Sequence, residues 1–184
     1  GDMPGARVHL DRALELSPHD TQALLARLSV LTLEFESLWI SRGHLTGLNL
    51  EILNAWPGFG SGGEAERLRR LIERDVKVLL RLGVNPEEAA YFEGWLCGMA
   101  GDPAEAQAQF DQSLEIWPHY VPAYEGRAFL RMVLPQPDLS AVDRDLEQAL
   151  KLDAGDFRGR ALRLFVFFRK ADLPHAYREL QVLL

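Results

Sequence analysis

Two stretches of this chain, a hundred positions apart, carry the same pattern. Gly1-Asp2 is followed by Ala6, Leu10, Ala13, Leu14 and Pro18, and Gly101-Asp102 is followed at identical offsets by Ala106, Phe110, Ser113, Leu114 and Pro118. Apolar and small residues recurring three and four apart mark one face of a helix. A pattern that returns in register marks a chain of serial units, each too small to bury its own apolar face, so the units must stack.

The unit is clearest from Tyr91. Residues 91 to 118 read as a helix, a Gly101-Asp102 turn, a second helix and a stop at Pro118. Glycine takes the left-handed conformation that ends a helix, aspartate caps the next one and Pro103 suits its first turn, which predicts a helical hairpin. A third copy has Tyr124 and Ala128 in its first helix, a turn enlarged by two residues (Leu134-Pro135-Gln136-Pro137-Asp138), then Val142, Leu146, Ala149 and Leu150. A fourth begins near Asp156 and carries Ala171-Asp172, Ala176 and Leu180.

Residues 21 to 85 fit the unit less well. Leu24, Leu28, Leu31, Phe35 and Leu38 predict a helix from Thr21 to about Arg42, about two turns longer than a standard first helix. A second helix is predicted over 45–56, then a connector, Pro57-Gly58-Phe59-Gly60-Ser61-Gly62-Gly63, and a helix from Glu64 to Leu82 with Leu68, Leu71, Ile72, Val76, Leu79 and Leu80 on one side. Gly83 and Asn85-Pro86 end it and open the next. This gives an odd number of helices between the first and second clear units, where a regular array needs an even one. The segment 64–82 is therefore read as an extra helix that lies along the groove or doubles the outer layer.

On these residues the chain resembles the tetratricopeptide-repeat (TPR) family, whose unit of about 34 residues has small residues at its helix crossings and a terminal proline. Here these are Ala6, Gly94, Ala106, Ala128, Ala149 and Ala176, with Pro18 and Pro118. The chain departs from the pattern at Glu93, Arg127 and Arg163, where the family has leucine, and at Ala154, where a third proline belongs. The resemblance implies an all-α, right-handed superhelical α-α repeat solenoid of about nine or ten helices with an irregular middle section. Its parts are a half repeat at 1–20, a long irregular repeat at 21–57, a Gly-rich linker at 58–63, the extra helix at 64–85, and repeats at 86–118, 119–155 and 156–184.

The resemblance also implies a protein–protein interaction scaffold whose first helices line a concave groove for a partner polypeptide. By position the groove residues are Tyr91, Phe92 and Trp95, then Glu125 and Phe129, then Arg158, Phe165 and Arg169. Trp95, Phe129 and Phe165 fall at equivalent offsets, and two readings of them are open. They form either a row of rings that grips an apolar helix or strand, or buried core. Some relatives hold the free carboxylate of a chaperone tail with a lysine and asparagine set; this chain, with three lysines, has no such set.

The remaining chemistry points away from catalysis. With 20 basic and 27 acidic residues, net −7, the overall field draws neither nucleic acid nor an anionic bilayer. The single Cys97 forms no internal disulfide and fits a cytoplasmic setting, and no run is long and apolar enough for a membrane span. Gly58, Gly60 and Gly63 have dinucleotide-site spacing but follow a helical stretch rather than a strand, so no cofactor is expected. The histidines at 9, 19, 44, 119 and 175 lack the one-turn spacing of a helical metal site, and no enzyme activity is expected.

Charge is uneven along the array. Residues 100 to 155 carry ten acids against four bases, and 156 to 184 six bases against three acids. The basic last repeat reads either as a clamp for a carboxylate tail or as a complement to Asp143, Asp145 and Glu147. The chain opens on a second helix and closes on Gln181-Val182-Leu183-Leu184 without a polar cap, so a fragment of a longer protein, or ends covered by another subunit, is expected. A docking or regulatory module of a larger enzyme or assembly, and a self-associating array, are the alternatives.

Overall fold

The computed structural model describes residues 3–39, 63–83, 85–134 and 136–184. Among them the chain forms nine helices and no strand: α1 Met3–Leu16, α2 Thr21–Trp39, α3 Glu64–Leu82, α4 Pro86–Ala100, α5 Pro103–Ile116, α6 Val121–Val133, α7 Leu139–Leu152, α8 Phe157–Arg169 and α9 Leu173–Leu183. The predicted helix over 45–56 and linker residues 58–62 lie outside the described residues.

The turns are set by the residues that the repeat pattern marks. Gly101 ends α4 at φ 88°, its N–H donating to the Gly98 carbonyl while the Asp102 N–H donates to Cys97, both at 3.0 Å. The Asp102 carboxylate accepts from the Glu105 N–H at 3.0 Å, and Pro103 opens α5. The α8–α9 turn repeats this geometry, with Ala171 donating to Phe168 at 3.0 Å and Asp172 to Phe167 at 2.9 Å. There the left-handed position, φ 57°, is held by an alanine whose Cβ crowds the following carbonyl. Ala171→Gly removes that crowding at the entropic cost of a glycine, and a net gain of about 0.5 to 1 kcal/mol is expected in urea unfolding.

Between repeats a second turn recurs. The N–H groups of Asp20, Tyr120 and Asp156 donate to the carbonyls of Ser17, Trp117 and Asp153 at 3.1, 3.0 and 3.2 Å. Ala154 thus sits in the same turn as Pro18 and Pro118, so the hydrogen bond and not the proline defines it. Trp117 closes its copy by stacking on Tyr120, ring centroids 5.6 Å apart.

The helices pair in order: α2 with α3, α4 with α5, α6 with α7 and α8 with α9, each hairpin packing on the next. The first helices α4, α6 and α8 also touch one another, whereas no two second helices pack to a similar extent among the described residues. First helices therefore form an inner layer, and second helices stand apart outside it.

The expected extra helix at 64–85 is corrected by this pairing. α3 neither lies along a groove nor doubles the outer layer; it is the second helix of the hairpin that α2 opens, and it packs onward against α4. The interruption falls inside that hairpin, between its two helices. The count came out odd because 45–56 was given the second-helix role that α3 holds.

One core runs the length of the stack, from Leu28 and Ile72 through Phe92, Phe110 and Phe129 to Leu146 and Val166. Phe110 shows why small residues recur. Its ring reaches from α5 between two inner helices, where a β-carbon on Gly94 of α4 or on Gly126 of α6 would lie 2.8 Å from it. Only glycine leaves that space, and the ring buries itself against both neighbours at once.

Candidate functional site

Of the residues predicted to line a groove, Tyr91, Phe92, Trp95, Glu125 and Phe129 are buried, and Arg158, Phe165 and Arg169 are half-buried. Tyr91, Phe92, Trp95 and Phe129 are 2 to 5% exposed, and their rings pack on one another: Trp95 lies 5.5 Å from Phe129 and 6.3 Å from Phe110, and Tyr91 lies 5.0 Å from Phe92. Glu125 is buried beside them and accepts from Arg158 Nη1 at 3.2 Å. The Arg158 guanidinium also lies 5.7 Å over the Trp95 ring, and Arg169 lies 5.9 Å over Phe165; those three α8 side chains are half-buried. Behind Trp95 and Phe129 the free space amounts to about 10 Å³. Of the two sequence readings, core packing describes these rings.

The basic last repeat is occupied in the same way. Arg160 and Arg163 both bind Glu179, at 3.0 and 2.6 Å, Arg158 binds Glu125, and Lys170 pairs with Asp143. Asp145, expected to face this repeat, turns instead to α6. A clamp built from these cations would first have to break the pairs that hold α8 to α6, α7 and α9.

Two of the positions that break the TPR leucine pattern, Arg127 and Arg163, tie first helices to second helices. Arg127 of α6 binds Asp145 of α7 through Nε at 3.1 Å and Nη2 at 2.5 Å, and Asp111 of α5 through Nη1 at 2.5 Å. Arg27 of α2 does the same with Asp75 of α3, both contacts 2.7 Å, and with Asp11 of α1 at 2.7 Å. In each case one first-helix arginine ties the preceding second helix to its own. Burial pulls the pKa of Arg27 down, but its hydrogen bonds to Asp75 and Asp11 outweigh this and hold it above the ordinary value, so the buried guanidinium stays charged. Arg127 behaves likewise through Asp145 and Asp111.

Spacing confirms the register of α3. Arg163 and Glu179 stand 16 residues apart in an uninterrupted repeat, and Arg27 and Asp75 stand 48 apart, so 32 additional residues fall within the α2–α3 repeat. The signal was in the sequence: Asp11 and Arg27 are separated by 16, as are Asp111 and Arg127.

Above each arginine the splayed second helices leave a groove. One, of about 680 Å³, lies between α1 and α3, with Leu14, Leu24, Leu71 and Val78 along its floor and Arg27 at its base. Its counterpart between α5 and α7, of about 610 Å³, is floored by Ala141 and Arg127 and rimmed by Arg131, Arg144 and Glu147. These are the open concavities that the repeat geometry produces.

This architecture matches known structures along its whole length. No protein-family model matches the sequence, and neither does any curated protein. Among solved structures, the chain superposes on MamA with a TM-score of 0.51 at 16% identity, covering 100% of this chain and 87% of that one. It superposes on the TPR2AB domain of yeast Sti1, in its complex with pHSP90, with a TM-score of 0.50 at 16% identity, covering 98% and 83%. The fold is that of a tetratricopeptide-repeat array.

Within this TPR-like array the described residues gather no group of three or more histidine, cysteine, aspartate or glutamate side chains able to hold a metal, and no described helix is long and apolar enough to cross a membrane. Cys97 is half-buried on α4, where burial and then the charges of Glu105, Asp102 and Glu93 push its thiol pKa up and disfavour a nucleophilic thiolate. Tyr120 is likewise pushed up, by burial first and then by neighbouring charge, so its hydroxyl stays neutral.

Proposed function

We propose that this chain is a protein-interaction scaffold that acts by holding a partner polypeptide, and that the partner docks in the outer grooves between second helices. The observation that carries this reading is the recurrence of one groove, with one kind of arginine floor, in two separate repeats. A groove of 610 to 680 Å³ accommodates side chains of a helix or extended segment, whereas the inner face keeps about 10 Å³ behind its rings. The inner face contributes through α8, where Phe165 and Arg169 stay partly accessible. The likeness of the fold to Sti1, seen with pHSP90, agrees with a polypeptide ligand.

Selection of helical peptides from a displayed library against the folded chain tests this. Enrichment of sequences that bind at micromolar concentration is expected, and a library that yields no binder contradicts the scaffold reading. Self-association has an observation of its own. Leu173, Tyr177, Leu180 and Leu184 line one face of α9 with exposures from 38 to 97%, a stripe that a further helical unit would bury. Light scattering across a wide concentration range decides it, since a monomer throughout would contradict stacking between copies.

A further inference from the structure

The α1–α3 groove differs from its α5–α7 counterpart in the charge of one wall. On α3, Arg67, Arg70, Arg74, Lys77 and Arg81 follow one another at spacings of three and four, so they share a face, and all five are exposed. Three of the five pair with acids of the same helix, Arg70 with Glu66, Arg74 with Asp75 and Lys77 with Glu73, and Arg67 and Arg81 do not. Glu66 accepts from Arg69 and Arg70, Glu73 from Arg69 and Lys77, and Asp75 lies buried under Arg27. Arg67 and Arg81 have no ion pair among the described residues. A basic stripe of this length runs against the net charge of −7 that the chain carries as a whole.

The groove beside the stripe is asymmetric. Its α3 wall presents Arg67 and Arg74, its α1 wall presents Asp11 and Glu15 beside Arg7, which Glu34 neutralises, and Leu14, Leu24, Leu71 and Val78 lie between; Asp11 also holds Arg27 and Glu15 holds Arg12. It extends from Arg7 on α1 to Pro18 in the turn that follows, and from Arg67 to Val78 on α3. At 1.5 Å per residue this is about 16 Å, or about three turns of a helix.

We propose that the α1–α3 groove docks an amphipathic helix of a partner protein, with an apolar stripe on the floor, an acidic edge against α3 and a basic edge against Asp11 and Glu15. This rests on the scaffold reading and names the chemistry of its partner. Arginine forks pair with carboxylates in two-pronged hydrogen bonds, which strengthen as the groove closes to water. The two oppositely charged walls fix the direction in which such a helix lies. A nucleic acid fits less well: its phosphates would meet Asp11 and Glu15 on the far wall and leave the apolar floor unfilled.

Fluorescence anisotropy with defined probes tests the proposal. The first probe is a labelled helical peptide of about four turns with leucines on one face, glutamates along one edge and lysines along the other. The second has lysines along both edges, and the third is a short DNA duplex. The acidic-edged peptide is expected to bind at least about tenfold more tightly than the all-lysine one, with an affinity that falls as salt rises. Arg67→Glu/Arg74→Glu should weaken it at least about tenfold and Arg67→Glu alone about fivefold, whereas Arg178→Glu, exposed on α9 and outside both grooves, should leave it unchanged. Arg67 is exposed and has no ion pair among the described residues, so the single variant is expected to keep the fold, and circular dichroism checks this. Equal binding of the two peptides, indifference to the α3 substitutions, or tighter binding of the duplex would overturn the proposal. If library-selected peptides bind without an acidic edge and ignore the α3 variants, this proposal falls and the scaffold reading stands; if no peptide binds, both fall.

Discussion

Replacing Phe110 by alanine is expected to cost about 3 to 5 kcal/mol in urea unfolding, a large share of the roughly 5 to 15 kcal/mol that holds a typical domain together. The magnitude follows from position. The ring is 2% exposed, fills the space that Gly94 and Gly126 leave, and packs on Tyr91 and Trp95 at 6.0 and 6.3 Å. Helices on both sides close tightly only around a ring of this size, so its removal opens a cavity shared by three helices. A loss under about 1 kcal/mol would show that the ring does not bridge two repeats. Gly126→Ala adds a methyl where the ring already lies, and about 1 to 3 kcal/mol is the expected cost of that overpacking.

The second large effect is expected at the buried ion pair. Asp75→Ala leaves the Arg27 guanidinium, 7% exposed, with Asp11 as its remaining partner among those identified, and a cost of about 3 to 5 kcal/mol follows from an uncompensated buried charge. Arg27→Met/Asp75→Leu removes both charges and should recover most of that loss, because an apolar pair of similar volume needs no counter-ion. The comparison is made by denaturant titration of the three proteins. Equal loss in the single and double variants would mean that packing, and not charge, governs this crossing.

These two sites show how far the sequence could be read. Phe110 was legible because local rules marked it: a Gly-Asp turn, small residues at fixed offsets and an apolar ring on the same face as Ala106 and Leu114. Helical hairpins form from such neighbouring signals, as α4–α5, α6–α7 and α8–α9 do. The α2–α3 hairpin was harder, because its halves are separated by 32 more residues than the α8–α9 pair and helical periodicity says nothing about which helix pairs with which. A matched charge spacing carried that information, Asp11 with Arg27 repeating Asp111 with Arg127.

The sequence leaves the two readings of the aromatic residues open for a related reason. An aromatic ring at a groove-facing offset and one in the core look alike along a helix whose apolar residues occupy more than one face, as Phe92, Trp95, Leu96 and Met99 do on α4. Tyr91, Phe92, Trp95 and Phe129 turn into the stack, where the Phe110 ring fills the space that Gly94 and Gly126 leave. The outer grooves are a property of the stacked series, which no single repeat displays. The basic stripe on α3 becomes a wall only once α1 is known to stand opposite it.

Serial stacking is the claim on which everything else depends, and the ring of Phe110 reports on it at one point. In a nuclear Overhauser spectrum of the folded chain, its ring protons should show cross-peaks to the α-protons of both Gly94, in its own hairpin, and Gly126, in the next one. Cross-peaks to one glycine alone, or to neither, would contradict a structure in which each hairpin is buried by the next.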